Sequence, residues 1–252
     1  MMNIRRTVRK GLHQLGLELT RAPVPNWTRY RWAILPVLDR FHINCVLDVG
    51  ANAGQFGHSL RELDYDGWII SFEPVSGPRV RLEQAAKADP KWRVCPYALG
   101  SIEGEAEIHV TASSVFSSFL EPVTDIATLW DAGNFVQRGE RVSVHRLDAV
   151  LDECLADIRN PNIYLKMDTQ GFDAEVLSGA ENVMHRISAL QTETAFRKIY
   201  QGMKGFDEVL PKIMSYGFGV VDFVPVTRER DGLRVIEMDC ILCRDASRDG
   251  RP

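Results

Sequence analysis

Four acids in this chain close apolar, strand-like runs, and their neighbours limit what each can do. Asp48 ends Cys45-Val-Leu-Asp-Val49 and leads into the turn Gly50-Ala-Asn52-Ala-Gly54. Glu73, followed by Pro74, ends Trp68-Ile-Ile-Ser-Phe72. Glycines at 50 and 54, with a third at 57, let the backbone turn sharply and let a ligand lie against it with no Cβ in the way. An acid about 20 residues beyond such a turn can accept both ribose hydroxyls of a nucleotide-type cofactor. Asp48, Gly50, Asn52, Gly54, Glu73 and Pro74 are therefore candidate cofactor residues. Ala98, in the Ala98-Leu-Gly100 segment after the third run, is placed near the cofactor's base.

Asp168 and Glu193 are the other two acids. Asp168 lies in Leu165-Lys-Met-Asp-Thr-Gln-Gly171, and Glu193 in Thr192-Glu-Thr194. Each ends an apolar run, and adjacent strands lie roughly 5 Å apart, so the two carboxylates could share one proton or one ion. Lys166 falls on the same strand face as Asp168 by the period of two. His145, ahead of Arg146-Leu-Asp148, ends another run. A lone histidine there is more often structural, yet it is kept as a candidate base or third metal ligand, with Asp239 as an alternative ligand.

The elements that must position these groups follow from periodicity. Runs at 46–49, 68–72, 92–97, 162–167 and 189–193 alternate with helical stretches, which implies a mostly parallel sheet covered on both faces. Segments 105–111 and 141–145 are β-branched and alternate, and read as an extra antiparallel pair. Residues 112–140 between them read as a loop with one short helix. Residues 174–185 read as one helix, and 219–224 with 238–243 as a closing hairpin. In such a sheet ligands lie over the carboxyl ends of the strands, beside the first strand.

The 252 residues suit one α/β domain, and 45% hydrophobic with 25% charged residues is a globular balance. A net charge of -4 argues against a general nucleic-acid footprint. No apolar run reaches the roughly 18 residues of a membrane span, and the first residues lack the pattern of a secretory signal. Five scattered cysteines read as reduced, buried thiols in a cytoplasmic protein. Cys240 and Cys243 resemble half a zinc site, but three positions apart on a strand they face opposite sides. Residues 1–40 read as a basic helical extension with Val8, Leu12, Leu15 and Leu19 at helical spacing. The reading preferred is a helix packed on the domain; contact with an anionic membrane surface is the alternative. Residues 41–244 read as the catalytic domain and 245–252 as a disordered tail. Homo-oligomer formation is left open.

Asp48-x-Gly50-x-x-x-Gly54 is similar to the first motif of S-adenosylmethionine-dependent methyltransferases, and departs from the Gly-x-Gly-x-x-Gly spacing of dinucleotide sites. Together with Phe72-Glu-Pro74, Ala98-Leu-Gly100, Glu103-Gly-Glu105, Ser117-Ser118, Arg146-Leu-Asp148 and Leu165-Lys-Met-Asp-Thr-Gln-Gly171, it resembles the FkbM-type methyltransferases over residues 45–243. The resemblance implies a Rossmann-like, seven-stranded, mostly parallel sheet with an antiparallel terminal hairpin and helices on both faces. It also implies S-adenosylmethionine as cofactor and a sugar hydroxyl as acceptor, on a carbohydrate or glycolipid. The family pattern often has Glu-Gly where this chain has Gln170-Gly171. Asp168 is then expected against the transferred methyl, and a weakly acidic hydroxyl must lose its proton. Two routes stand open. One is a general base, Asp168 or His145. The other is a magnesium ion on Asp168, Glu193 and His145. A small phenolic or polyketide hydroxyl is an alternative acceptor. A module that binds cofactor without turnover is an alternative of another class, and a nicotinamide dehydrogenase is the weakest reading.

Overall fold

The computed structural model describes residues 26–123 and 136–245, with residues 26–32 described by their backbone alone. Helix α1 spans Asn26–Arg40, and β1 (Cys45–Val49) follows. The alternation then runs α2 (Gln55–Glu62), β2 (Trp68–Phe72), α3 (Ser76–Ala86) and β3 (Trp92–Cys95). Three strands, β4 (Ala98–Leu99), β5 (Gly104–Thr111) and β6 (Val136–His145), precede α4 (Leu147–Cys154). The chain continues through β7 (Ile163–Met167), α5 (Asp173–Gly179), β8 (Ile187–Ala195), α6 (Phe206–Ser215), β9 (Phe218–Arg228) and β10 (Val235–Arg244).

The main sheet has seven strands in the order β3-β2-β1-β7-β8-β10-β9, and β10 is antiparallel to both of its neighbours. The strand order reverses between β1 and β7, which is where a ligand crevice opens in such sheets. The expected extra pair exists: β5 runs antiparallel to β6, and β4 joins as a third strand parallel to β6.

Alternation along the strands builds two cores. On one face Leu47, Ile70, Leu165 and Leu190 pack with Leu151 of α4, Val176 of α5 and Ile213 of α6. On the other Val46, Ile69, Tyr164 and Ala189 pack with Ala33, Ile34, Val37 and Leu38 of α1, Leu60 of α2 and Leu82 of α3. Each fully buried Leu or Ile contributes about 1.5–3 kcal/mol. Cys240 joins the first core and Cys243 flanks the second, so the two sulfurs do face opposite sides. All five cysteines are free.

Two residues beyond the apolar row Ile69-Val46-Tyr164-Ala189, toward the strand ends, the second face turns polar. Ser71, Asp48, Lys166 and Gln191 stand side by side across β2, β1, β7 and β8 in register. That buried row is the floor of the site.

Several boundaries differ from expectation. The stretch expected as one helix over 174–185 is α5 followed by a 3-10 turn, Glu181–Arg186. The break follows Gly179, where a Cβ would lie 1.9 Å from the carbonyl oxygen of Gly100; the helix is pressed against backbone there. Strand β6 begins at Val136 rather than 141, and the β9–β10 hairpin is longer at both strands. Gly57 does not serve a turn. It lies inside α2, where its missing side chain admits the Trp92 ring, 2.2 Å from an added Cβ. The apolar stripe at Val8–Leu19 lies outside the described residues. Helix α1, part of the expected 1–40 extension, contributes its buried face to the second core. No helix among the described residues is long and apolar enough to cross a membrane.

Gly50 carries φ 77°, and a Cβ on it would stand 2.0 Å from the Asp168 carbonyl oxygen. Gly50→Ala should therefore lower stability by more than the roughly 1–2 kcal/mol of a left-handed alanine alone. Urea unfolding checks this; a loss under about 0.5 kcal/mol would mean the two turns are not locked together.

Candidate active site

The turn after β1 is tied to the end of β2. The Gly50 and Ala51 amides donate to the Phe72 carbonyl at 3.1 Å each. Asn52 adopts φ 49°, its side-chain oxygen accepts from the Ala53 amide at 2.8 Å, and its own amide N–H donates to Glu73 Oε2 at 2.8 Å. Glu73 Oε1 accepts from the Val75 amide, also at 2.8 Å. Both carboxylate oxygens are thus fixed by backbone donors while each keeps a lone pair for a ligand. Burial pushes the Glu73 carboxyl up to about 7, against the pull of those two amides.

Beside this turn lies a cavity of about 510 Å³, within the range of small-molecule sites. One end is walled by Val49–Asn52, Phe72–Val75, Ala98, Leu99, Ile108 and Phe172. The other is walled by Lys166, Asp168, Gln170, Gln191, Glu193, Thr227 and Glu237. Residues 114–117 and Phe119 also line it, and the loop is held down at several points. Asn52 Nδ2 donates to Ser114 Oγ at 3.2 Å, Ser118 Oγ donates to the Gln170 carbonyl at 2.7 Å, and the Tyr200 hydroxyl reaches the Phe116 carbonyl at 3.2 Å.

The polar floor is a chain of charges. The Trp92 indole N–H donates to Ser71 Oγ at 3.0 Å, and Ser71 reaches Asp48 Oδ2 at 3.4 Å. Lys166 Nζ lies 3.3 Å from Asp48 Oδ1 and 3.2 Å from Asp168 Oδ2. Burial favours neutral lysine, but two flanking carboxylates override it and hold the ammonium charged. Burial raises Asp48 despite Lys166. Asp168 is also desolvated, yet Lys166 and Gln170 hold it below the usual carboxylate range.

Gln170 joins the two strand ends. Its Nε2 donates to Asp168 Oδ1 at 3.2 Å and to Glu193 Oε2 at 2.9 Å. Among the described residues no cation pairs with Glu193; burial, then the Asp168 charge, push it well above the ordinary glutamate range. Burial and mutual repulsion thus oppose a second charge on the pair, and Asp168 is the member favoured to ionise.

Of the residues expected in the site, Gly50, Asn52, Glu73, Pro74, Ala98, Asp168 and Glu193 line the cavity. Asp48 does not: it is fully buried behind it and acts on Lys166. Gly54, in the left-handed region, caps the start of α2. His145 is not brought to Asp168 and Glu193. It is absent from the cavity wall, its Nδ1 lies 2.8 Å from Glu103 Oε2, and its ring packs on Tyr97. Among the described residues no three His, Cys, Asp or Glu side chains converge to hold a metal ion. The expected magnesium set of Asp168, Glu193 and His145 is thus not assembled. Asp239 instead accepts from Gln191 Nε2 at 2.9 Å, and burial raises it to about 8. Phe196 and Phe206 pack on each other and Tyr200 is buried, and none of the three is in the cavity wall. Phe56, Phe116, Phe119 and Phe172 line the cavity in their place.

Gln170, Gln191, Thr227 and Glu237 were not expected in the site, and all four line the cavity. Only Gln170 had a local signal, its place between an acid and a glycine. Glu237 reaches the cavity because the hairpin is longer than its pattern suggested.

The glycine turn at the end of β1, the acid at the end of β2 and the reversal of strand order define a class I methyltransferase architecture. Residues 48–220 match the model of the methyltransferase FkbM domain, and the chain belongs to that family of S-adenosylmethionine-dependent methyltransferases. Solved structures with some likeness include the methyltransferase domain of a bacterial protein, CtHen1-C, at 11% identity and TM-score 0.46, over 88% of this chain and 100% of that one. An rRNA methylase from Streptococcus thermophilus aligns at 7% identity and TM-score 0.42, over 90% of this chain and 99% of that one. Membership rests on the 48–220 match and the fold on the strand order, not on these distant likenesses. A comparison with curated proteins finds no match.

Two outcomes follow. Lys166→Met leaves Asp48 buried without its cation and should cost on the order of 3–5 kcal/mol in urea unfolding; a neutral change would mean that Asp48 has another partner. Asp239 binds its proton more tightly folded than unfolded, so its contribution is whole below 3.8 and fades as pH rises to about 8. Melting temperature measured across that window should fall less steeply in Asp239→Asn than in the native chain; parallel curves would contradict the assignment.

Proposed function

We propose that the chain is an O-methyltransferase whose acceptor is a sugar hydroxyl, on a glycolipid, a polysaccharide or another glycoside precursor. The observation that carries this reading is the Asp168–Glu193 pair in the wall of the same cavity that Gly50 and Glu73 enter. The residues suit an adenosyl cofactor. Glu73 keeps lone pairs for ribose hydroxyls, Gly50 offers bare backbone, and Phe72, Leu99, Ile108 and Phe172 offer apolar surface for a flat base. When bound, S-adenosylmethionine supplies a methyl group already activated as a sulfonium.

The chain's own work is alignment and proton removal. Lys166 keeps Asp168 ionised and fixes its orientation. Asp168 or Glu193 would receive the acceptor's hydroxyl proton, while bound S-adenosylmethionine would supply the methyl group and leave as S-adenosylhomocysteine. Lys166 and Gln170 favour the ionised Asp168 that can take this proton, while burial and the Asp168 charge raise Glu193's affinity for protons, so a Glu193 carboxylate would be the stronger base of the two. Glu237, buried and pushed by burial to about 7, adds a further acid to the wall. Three carboxylates facing one committed lysine favour a neutral polyol or an amino sugar over an anionic acceptor. The phenylalanines of the wall also suit a phenolic acceptor, which is the second reading.

Asp168→Asn and Glu193→Gln should each lower methyl transfer to a glycan pool on the order of 10²–10⁴-fold. Both should leave S-adenosylhomocysteine affinity within a few fold, by calorimetry. Glu73→Ala should do the reverse, weakening S-adenosylhomocysteine first. Native turnover in Asp168→Asn would remove the pair from the reaction.

A further inference from the structure

Gln170 sits in an unusual place for a neutral side chain. Its Nε2 is within 3.2 Å of one carboxylate and 2.9 Å of another, on two different strand ends. Two carboxylates brought together in a half-buried wall repel, and chemistry offers three remedies: a shared proton, a bridging cation or a bridging donor. Lys166 does not serve as the bridge. It lies against Asp168 Oδ2 and Asp48, on the side away from the Oδ1 that Gln170 contacts. The amide nitrogen is what contacts both Asp168 Oδ1 and Glu193 Oε2.

The orientation of that amide is fixed from both ends. Its NH2 group faces two groups that accept hydrogen bonds, and its Oε1 accepts from the Tyr200 hydroxyl at 2.9 Å. Flipping it would set its oxygen against the Asp168 carboxylate and lose the hydrogen bond that Tyr200 donates to Oε1. The backbone is bent to deliver it. Gln170 has φ 53° and Gly171 φ 87°, two successive left-handed residues, and a non-glycine residue holds that conformation only where its surroundings impose it. Here Ser118 Oγ grips the Gln170 carbonyl, and a Cβ on Gly171 would stand 3.1 Å from the Tyr200 ring. Tyr200 is itself buried, with its hydroxyl also reaching the Phe116 carbonyl.

We propose that Gln170 is a positioning residue that stands where a divalent cation would otherwise bridge Asp168 and Glu193, so that the pair takes the acceptor's proton without a metal ion. The proposal rests on the reading of that pair as the proton acceptor. It also accounts for the donor set, since the amide nitrogen contacts the same two oxygens that an ion bridging the pair would need. A hard cation needs several oxygen ligands at 2.0–2.6 Å, and an amide nitrogen is not among them.

The test uses the full chain and Mn2+ as the probe, with bound metal counted by electron paramagnetic resonance. The native protein should take up no ion that Asp168→Asn abolishes. Gln170→Glu turns the bridging donor into a third carboxylate and should gain one Mn2+, held at least roughly tenfold more tightly than by the native chain. That ion should be lost in the double variant Gln170→Glu/Asp168→Asn. Gln170→Ala, a smaller change, should gain weaker uptake at the same pair. A single Mn2+ on the native protein, removed by Asp168→Asn, would overturn the proposal, and so would a folded Gln170→Glu that gains none. The native measurement decides by itself if the variants misfold. Binding of S-adenosylhomocysteine, measured alongside, separates the two levels. Its absence from the native chain would sink the methyltransferase reading, while the metal count bears on Gln170 alone.

Discussion

One ammonium group, Lys166 Nζ, lies between two carboxylates under the floor of the cavity, and the arrangement of the site follows from it. Lys166 is 5% exposed and Asp48 is not exposed at all, so their ion pair lies out of water. Desolvating such charges costs several kcal/mol per ion, which attraction offsets only when every partner is in place. The partners come from different strands: Asp48 and Lys166 stand in register on β1 and β7, and Asp168 follows two residues later. The same two strands flank the reversal of strand order. The electrostatic requirement and the opening of the crevice thus coincide at one position. Gly50 completes it, because any Cβ there would meet the Asp168 backbone and part the turns.

From this anchor the cavity divides by chemistry. Toward β2 the donors are backbone amides aimed at Glu73, and the walls are apolar. Toward β8 and β10 the walls carry Glu193, Gln191, Thr227 and Glu237. Asp168 belongs to both halves, ionised by Lys166 on one side and joined to Glu193 through Gln170 on the other. The 113–119 loop covers the space and is fastened to the same elements, through Asn52, Gln170 and Tyr200. Cofactor turn, carboxylate pair and cover are therefore one connected network, not three neighbouring features.

The parts legible in the sequence were those fixed by local chemistry. Gly50 and Gly54 announced left-handed turns, alternation placed Asp168 and Glu193 at strand ends, and the 68–72 run matched β2 to the residue. Asp48 was legible as the acid closing the first strand but not in its task. Its local pattern is the same whether it faces a ligand or a lysine from another strand. His145 misled because a strand-end histidine looks alike beside a cavity or beside Glu103. Gln170 and Glu237 depend on non-local geometry: one on a bent backbone held by Ser118 and Tyr200, the other on a hairpin whose solvent-facing edge strand breaks the alternation that marks strand length. Gly179 shows the same limit, since its close approach to Gly100 spans a distance in sequence that no local pattern records.

The central claim is that a single cavity receives the cofactor at Glu73 and presents its reactive end to the Asp168–Glu193 pair. A crystal structure of the chain with S-adenosylhomocysteine tests it most directly. The account predicts ribose hydroxyls on Glu73, the base among Phe72, Leu99 and Ile108, and the sulfur turned toward Asp168. A complex with the sulfur facing away from Asp168 and Glu193, or with the ligand outside this cavity, would contradict it.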